Sequence, residues 1–459
     1  MGDASGPVQA PRGTHDVLWP ASWRWERLVA SFAELARRSG FGLIVNPMFE
    51  EARVFRRAVG EQSEVVGKEM YEFDDRGGRR LALRPEGTAS VVRAFVQHRP
   101  PVPFKAWYLT PAFRYERAAS GRYRQHHQLG VEALGSDDPD LDVEVVCLAA
   151  ACFESLGLRR VTLKLNTMGC ATCRPAYLVE LRAYLDRRAD RLCPEHQERY
   201  PLNPLRVLDC KTEACRRATE DAPRLLQHVD PDCAAHFDRV RGGLDAAGCA
   251  YQLEPRLVRG FDYYTRTTFE FASLALAAAN DAVGGGGRYN GLVEQLGGPP
   301  TPGIGFGIGV ERVLLACDAE EVFPATPPGP DAFVVDLGDG HDARDLVLEL
   351  RRAGLVAERA YDGRSLRAQL RQADRLGAAV ALIVGDEERA AGEVTVRVLR
   401  EGQGQHRVAR AAVVEAVRSA QPTTGYRQPA GLLRPAGPLR PDGSAASPEA
   451  AGSLTQEVR

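Results

Sequence analysis

Leu257-Val-Arg-Gly-Phe-Asp-Tyr-Tyr-Thr-Arg-Thr-Thr-Phe-Glu-Phe271 is the stretch on which the reading of this chain turns. From Tyr263 onward it alternates and is rich in Thr, Tyr and Phe, the pattern of a half-buried strand. Arg259 stands just before it, followed by a glycine that lets the backbone turn and approach a ligand closely. One fixed cation and two tyrosines on a short rigid element point to an anion and a small polar ligand. In isolation the same residues also make an ordinary strand with a surface arginine. The flanking sequence decides between the two.

On the C-terminal side, Asp281-Ala-Val-Gly-Gly-Gly-Gly-Arg-Tyr-Asn-Gly-Leu292 holds four consecutive glycines. Glycine costs backbone entropy, so such a run serves close approach or an unusual turn. It is not a dinucleotide fingerprint, which spaces its glycines and follows a strand. Gly303-Ile-Gly-Phe-Gly-Ile-Gly309 then places a glycine at every second position. In a strand that strips one face of side chains and leaves a flat floor for a planar ring. Glu311 and Arg312 follow at the start of a helix from Val310 to Cys317. A cation there joins the positive end of the helix dipole, a good position for a polyphosphate.

On the N-terminal side, Leu81-Ala-Leu-Arg-Pro-Glu-Gly-Thr88 reads as a short strand ending at Pro85. Glu86, Gly87 and Thr88 then open a helix through Val91, Val92 and Phe95. A carboxylate and a hydroxyl at such an entrance either cap the helix or hold an ammonium group. Trp107 to Gly135 reads as two strands around a basic loop that turns at Ala118 to Gly121. Arg114, Arg117, Arg122 and Arg124 crowd there and call for an anion; the planar guanidinium fork suits phosphate oxygens. Gln128 and Glu132, four apart on the return strand, share one face.

The rest of the chain supplies scaffold. Trp25, Leu28, Val29, Phe32 and Leu35 form one apolar helical face ending near Gly40. Phe41 to Phe49 reads as a strand with an edge or bend at Pro47. Asp140 to Leu156 is a core helix, and Val161 to Asn166 a strand. Residues 170–240 read as a helical, Cys-rich insertion within a larger domain spanning 1–323, with Leu178, Leu181 and Leu185 on one helix face. Pro324 to Pro330 is a linker. Alternating strands and helices over 331–420 describe a small α/β domain, with a last helix from Val408 to Ser419. Residues 421–459, rich in Pro, Gly, Ala and Ser, read as a disordered tail.

Inside the insertion, Cys170-x-x-Cys173 and Cys193-x-x-His196 have zinc-ligand spacing across a gap of 19 residues, with Cys210 and Cys215 as further candidates. Reduced thiols packed as small hydrophobes fit the same pattern. The chain of 459 residues has ten cysteines, six of them between Cys170 and Cys233. Residues 1 to 11 lack an apolar signal core, and no apolar run approaches a membrane span. The expectation is a cytoplasmic, multidomain protein with reduced or metal-bound thiols and no membrane partner. With a net charge of −2 there is no global positive field, so any RNA contact rests on local basic patches.

Taken together, these stretches closely resemble the histidyl-tRNA synthetase family of class II aminoacyl-tRNA synthetases, over roughly Gly6 to Ala420. Leu257–Tyr264 and Ala282–Gly291 resemble the two histidine-specific motifs. Phe113-Arg-Tyr-Glu116 is similar to class II motif 2, Gly305–Arg312 to motif 3, and Leu83-Arg-Pro-Glu-Gly-Thr88 also matches. The resemblance implies an α+β catalytic domain, mainly antiparallel sheet flanked by helices, and a C-terminal α/β anticodon-binding domain. It also implies a homodimer that uses L-histidine, ATP with Mg2+, and histidine tRNA.

It further implies roles for individual residues. Arg259 and Arg114 act at the α-phosphate as the catalytic cations, Arg312 at the γ-phosphate, and Glu116 at the adenine. Glu86, Gly87, Thr88 and Gln128 receive the amino-acid end of histidine. Glu132, Tyr263, Tyr264 and Tyr289 enclose its imidazole. Three departures stand out: Ala118-Ala-Ser120 where Pro-Gln is frequent, His126 where Phe is usual, and Asn290 for a common Asp. The rival reading is a regulatory subunit of ATP phosphoribosyltransferase, a non-catalytic relative. Such chains generally lack the anticodon domain and have degraded motifs, whereas Arg259 and the domain from Asp331 are present here.

Overall fold

The computed structural model describes residues 7–60, 65–117, 119, 121–261, 263–277, 281–324, 327–399 and 404–420. The tail expected at 421–459, and Ala118, Ser120 and Asp262 of the quoted motifs, lie outside the described residues. The chain divides into two compact units between Thr326 and Pro327. No helix among the described residues is long and apolar enough to cross a membrane.

The first unit is built on an eight-stranded sheet. In spatial order its strands are Gly42–Leu43, Phe104–Phe113, Gln125–Leu134, Gly303–Gly309, Ala282–Arg288, Thr265–Ser273, Val161–Thr167 and Gln252–Leu253. The two outermost pairings are parallel and the five between them antiparallel. Alternation sorts the side chains. Leu129, Val131 and Ala133 of one strand, and Ile304, Phe306 and Ile308 of its neighbour, enter one core with Phe32, Val145 and Phe153 from covering helices. The opposite face of the same strands carries Gln128, Gly130, Glu132 and the glycines.

That core is closed by helices Ala21–Arg38, Pro139–Ser155, Pro231–Ala246 and Val310–Ala319. Helix Pro139–Ser155 begins with proline at its first position, and the Asp138 carboxylate accepts the Asp140 N–H at 3.1 Å. A second core lies on the other side. It joins helices Ala52–Val59 and Thr88–His98 to the insertion helix Cys173–Asp186, where Tyr177, Leu181 and Leu185 are buried.

Several elements differ from the sequence reading. The strand expected at Phe41–Phe49 is two short pieces, Gly42–Leu43 and Phe49–Glu51. Between them the Asn46 and Pro47 carbonyls are taken by the Arg84 guanidinium at 3.2 Å each, in place of a ladder that proline cannot continue. Phe49–Glu51 pairs with Arg80–Leu83, and that with Glu72–Asp74, in a small sheet that composition did not signal. Tyr263 and Tyr264 precede their strand, which starts at Thr265.

The second unit holds a five-stranded sheet in the order Ala357–Arg359, Ala332–Asp336, Val380–Val384, Glu393–Val398, Gln405–Ala409. Its first three strands are parallel and the last two antiparallel. Helices His341–Arg352 and Val413–Ser419 cover one face, and Leu366–Arg375 the other. The helix expected from Val408 is thus shorter, because Gln405–Ala409 is the fifth strand. Helix Asp386–Ala391 was not anticipated.

Candidate active site

Pairing across the sheet sets three glycines side by side. Gly130 lies opposite Gly307, and Gly307 opposite Gly285, with Tyr108 and Glu270 at the two ends of the row. Each outer glycine makes room for one side chain. A Cβ on Gly130 would fall 2.4 Å from the Tyr108 ring, and one on Gly285 would fall 2.7 Å from Arg259 Nη1. At Gly307 nothing comes closer than 4.0 Å, so the middle of the row is open. The result is a bare patch of backbone between a phenol and a guanidinium.

The next rows are filled. A Cβ on Gly305 would meet Glu132 Oε2 at 1.9 Å, one on Gly303 the Tyr289 ring at 2.3 Å, and one on Gly287 the Tyr264 ring at 2.9 Å. The alternating glycines therefore do not form one continuous floor, as the sequence suggested. Half of that face cradles Glu132 and Tyr289, and the half near Gly307 and Gly309 stays open.

Glu132 is the hub of the closed end. It is fully buried and accepts from Thr88 Oγ1 at 2.7 Å, from the Tyr108 hydroxyl at 3.1 Å, and from the Tyr289 hydroxyl. Burial outweighs these donors and pushes its pKa up to about 8. Tyr263 packs against Phe261, Tyr264 and Tyr289, with ring centroids 5.3, 4.6 and 5.8 Å away. Tyr289 is held through its neighbour: the Arg288 guanidinium is wholly buried on the Asp142 carboxylate and on the Ser136 and Asp138 carbonyls.

The entrance of helix Thr88–His98 adjoins this hub. Both Glu86 oxygens accept backbone N–H groups, from Thr88 at 2.6 Å and Ala89 at 2.8 Å, so this carboxylate does cap the helix. Burial raises its pKa, against those hydrogen bonds. The Gly87 N–H donates to Gln128 Oε1 at 3.2 Å, and the Tyr108 ring occupies the space a Gly87 side chain would need. Glu86, Gly87, Thr88, Gln128, Glu132, Tyr263, Tyr264 and Tyr289 thus belong to one connected neighbourhood.

Cations gather at the open end. Arg259 Nη1 donates to Glu270 Oε2 at 2.8 Å, leaving one face of the guanidinium toward Gly285. Arg114 donates through Nε to the Pro85 carbonyl at 2.9 Å and stands over the Phe261 ring. Arg312 is held by the Gly121 and Ala282 carbonyls, each at 3.0 Å. Burial, and then the neighbouring Arg122 charge, push its pKa down. Glu116 Oε2 lies 4.0 Å from Arg122. His126 is kept neutral by burial and by Arg114 and Arg312, with a pKa lowered to about 3, and its buried Nδ1 has no hydrogen-bond partner among the described residues. Such an assembly of fixed positive charge is built for a polyanion.

Sequence reasoning gave no role to Tyr108, to Glu270 or to the Glu311 carboxylate, which accepts the His127 N–H at 3.0 Å and faces its ring Nδ1 at 2.9 Å. Tyr108 becomes visible only through its register with Gly130, which no local pattern reports. The Cys-rich insertion is also sorted differently. Cys170 and Cys173 group with Asp230 and Cys233, while Cys193 and His196 group with Cys210 and Cys215. The two short motifs do not meet.

Comparison with known proteins agrees with this geometry. The family described as Histidyl-tRNA synthetase matches residues 13–313, and Anticodon binding domain matches residues 331–420. The histidine--tRNA ligase of Desulforudis audaxviator is 46% identical over 415 residues, covering 90% of this chain and 98% of its own. That of Moorella thermoacetica is 48% identical over 413 residues, covering 89% and 97%. The crystal structure of apo S. aureus histidyl-tRNA synthetase is similar with a TM-score of 0.75 and 34% identity, over 90% of this chain and 100% of that one.

Proposed function

From its membership of the histidyl-tRNA synthetase family, to which this chain belongs, we propose how the site described above joins histidine to tRNA. The protein is a histidine--tRNA ligase by function, and a regulatory role without catalysis is less supported. The observation that carries the mechanism is the open backbone at Gly307, with hydrogen-bonding groups on one side and arginines on the other.

On this reading histidine lies at the closed end. Its imidazole faces Glu132 and Tyr264, within walls formed by Tyr263 and Tyr289. Its ammonium group takes the remaining lone pairs of Glu86 with Thr88, and Gln128 lies beside it. A pocket built to hydrogen-bond both ring nitrogens rejects analogues that leave its buried polar groups unpaired. ATP lies at the open end, its adenine near Glu116 and His126 and its γ-phosphate on Arg312. The histidine carboxylate then attacks the α-phosphate, and pyrophosphate leaves. Arg114 and Arg259 stabilise the charge that develops on the α-phosphate oxygens. A ribose hydroxyl of the terminal adenosine of histidine tRNA then takes the acyl group from the adenylate, and AMP leaves; the second unit engages that tRNA at its anticodon.

ATP comes with Mg2+, which neutralises phosphate oxygens when bound. Asp281 is taken by Lys164 and Lys211 at 3.8 and 3.2 Å and Glu116 is given to the adenine, so neither is assigned to the metal. We further propose a homodimer, supported by exposed Leu43, Val45, Met48 and Phe49 beside the strand at one margin of the main sheet.

The test is histidine-dependent ATP–pyrophosphate exchange by Arg259→Ala. A preorganised contact of this kind is worth roughly 10²–10³ in rate. We expect at least a tenfold loss of exchange with histidine binding retained. Near-normal exchange would remove Arg259 from the α-phosphate.

A further inference from the structure

The insertion contains a feature that adenylate chemistry does not use. Between Ala189 and Ala218 the chain forms helical pieces of three, six, four and six residues: Ala189–Arg191, Pro194–Arg199, Leu205–Leu208 and Glu213–Ala218. Helices this short do not hold themselves in water, where about 12–15 residues are already marginal. Leu192, Val207, Leu208, Cys215 and Ala218 anchor them to the second core, with Tyr200 and Leu205 partly buried against it.

Four side chains converge where these pieces meet. Cys193, His196, Cys210 and Cys215 place their ligand atoms within 4.8 Å of one another, with Cys193 Sγ 3.1 Å from His196 Nδ1. A tetrahedral zinc, with bonds of about 2.3 Å to sulfur and 2.0–2.1 Å to nitrogen, separates three sulfurs and one nitrogen by about 3.5–3.8 Å. The cluster is therefore at the right scale. Cys193 directly precedes helix Pro194–Arg199, which returns His196 one turn later, and Cys210 and Cys215 flank the start of helix Glu213–Ala218. The sulfurs also have the outer partners that thiolates need. The Cys193 backbone N–H donates to Cys215 Sγ at 3.2 Å, and Thr212 Oγ1 lies 3.1 Å from Cys210 Sγ.

We propose that Cys193, His196, Cys210 and Cys215 bind a structural zinc ion that staples the insertion. In the second cysteine cluster a carboxylate already takes two of the thiols. Asp230 Oδ1 accepts the Cys233 N–H at 2.7 Å as a helix cap, and Oδ2 accepts from the Cys170 and Cys173 thiols at 3.2 and 3.0 Å. The zinc staple also reaches the active site. Arg206, on the helix just before Cys210, donates to the carbonyl of Gly260, the residue after Arg259. Arg256 in turn donates to the Leu208 and Arg216 carbonyls at 3.3 and 3.2 Å. The metal thus braces both sides of the loop that carries Arg259.

The test is elemental analysis of the full chain purified without added zinc, next to Cys193→Ser, His196→Cys and Cys170→Ser, each checked for folding by circular dichroism. About one equivalent of zinc is expected in the wild type, in His196→Cys and in Cys170→Ser. Less than a tenth is expected in Cys193→Ser. Cobalt exchanged into the wild type should give a thiolate charge-transfer band that Cys193→Ser loses. Trypsin should cut Cys193→Ser within 189–218 at least ten times faster. Folded wild type with less than a tenth of an equivalent, taking up neither zinc nor cobalt, overturns the proposal. So does zinc that survives Cys193→Ser and disappears in Cys170→Ser.

Discussion

Glu132 concentrates the energetic tension of this molecule in one side chain. Its carboxylate is fully buried, and three hydroxyls do not repay the lost hydration, so its pKa rises from the ordinary 4.5 to about 8. The sign of the linkage follows. A raised carboxyl pKa leaves stability intact below pH 4.5, where both folded and unfolded forms are protonated. Stability is then lost as pH rises toward 8, because the unfolded chain ionises and the folded one resists. Glu132→Gln removes the charge and keeps a hydrogen-bonding shape. We expect its melting temperature to gain on the wild type progressively from pH 5 to pH 8.5, while histidine binding weakens at least tenfold because the amide NH2 can only donate where a carboxyl oxygen can accept. A pH-independent difference between the two melting curves would mean that Glu132 titrates as an ordinary carboxylate.

At the scale of single elements, helix Thr88–His98 shows how much one local motif can carry. The sequence left Glu86 with two roles, capping or ammonium binding, and the geometry gives the first outright. The two roles separate by mutation. Glu86→Gln keeps an oxygen for one helix N–H, so we expect a stability loss of about 1 kcal/mol or less, within the range for altered caps. The KM for histidine should rise at least tenfold, because an amide cannot neutralise an ammonium group. An unchanged KM in thermal and kinetic assays would leave Glu86 as a cap alone. What the sequence made legible was local periodicity: the alternation in Gly303–Gly309, the apolar helix faces, the basic turn between two strands. What it hid was register. That Gly130, Gly307 and Gly285 form one row, that Tyr108 ends it, and that Glu132 and Tyr289 fill half of the glycine face depend on pairings between strands distant in sequence. The break at Asn46–Pro47 was missed for a related reason: its carbonyls are satisfied by the Arg84 guanidinium, far along the chain.

The whole molecule divides its labour as it divides its cores. Among the described residues, the apolar clusters of the first unit take no residue beyond Phe323, and those of the second begin at Ala332, so each unit buries its own hydrophobic surface. Each residue given a role in adenylate formation lies between Glu86 and Arg312, inside the stretch matched by the synthetase family. Residues 331–420 match the anticodon-binding domain instead. A chain ending at Pro324 should therefore fold and retain histidine-dependent ATP–pyrophosphate exchange within about threefold of the full chain, a change of under 1 kcal/mol. Charging of histidine tRNA by the same chain should fall at least tenfold through KM, since the second unit contributes binding energy remote from the reacting atoms. Exchange and aminoacylation measured side by side separate the outcomes. Loss of exchange from a folded truncated chain would mean that the second unit supports the catalytic site itself. Undiminished charging would mean that the acceptor end alone is recognised, by the basic strands around Arg114 and Arg122.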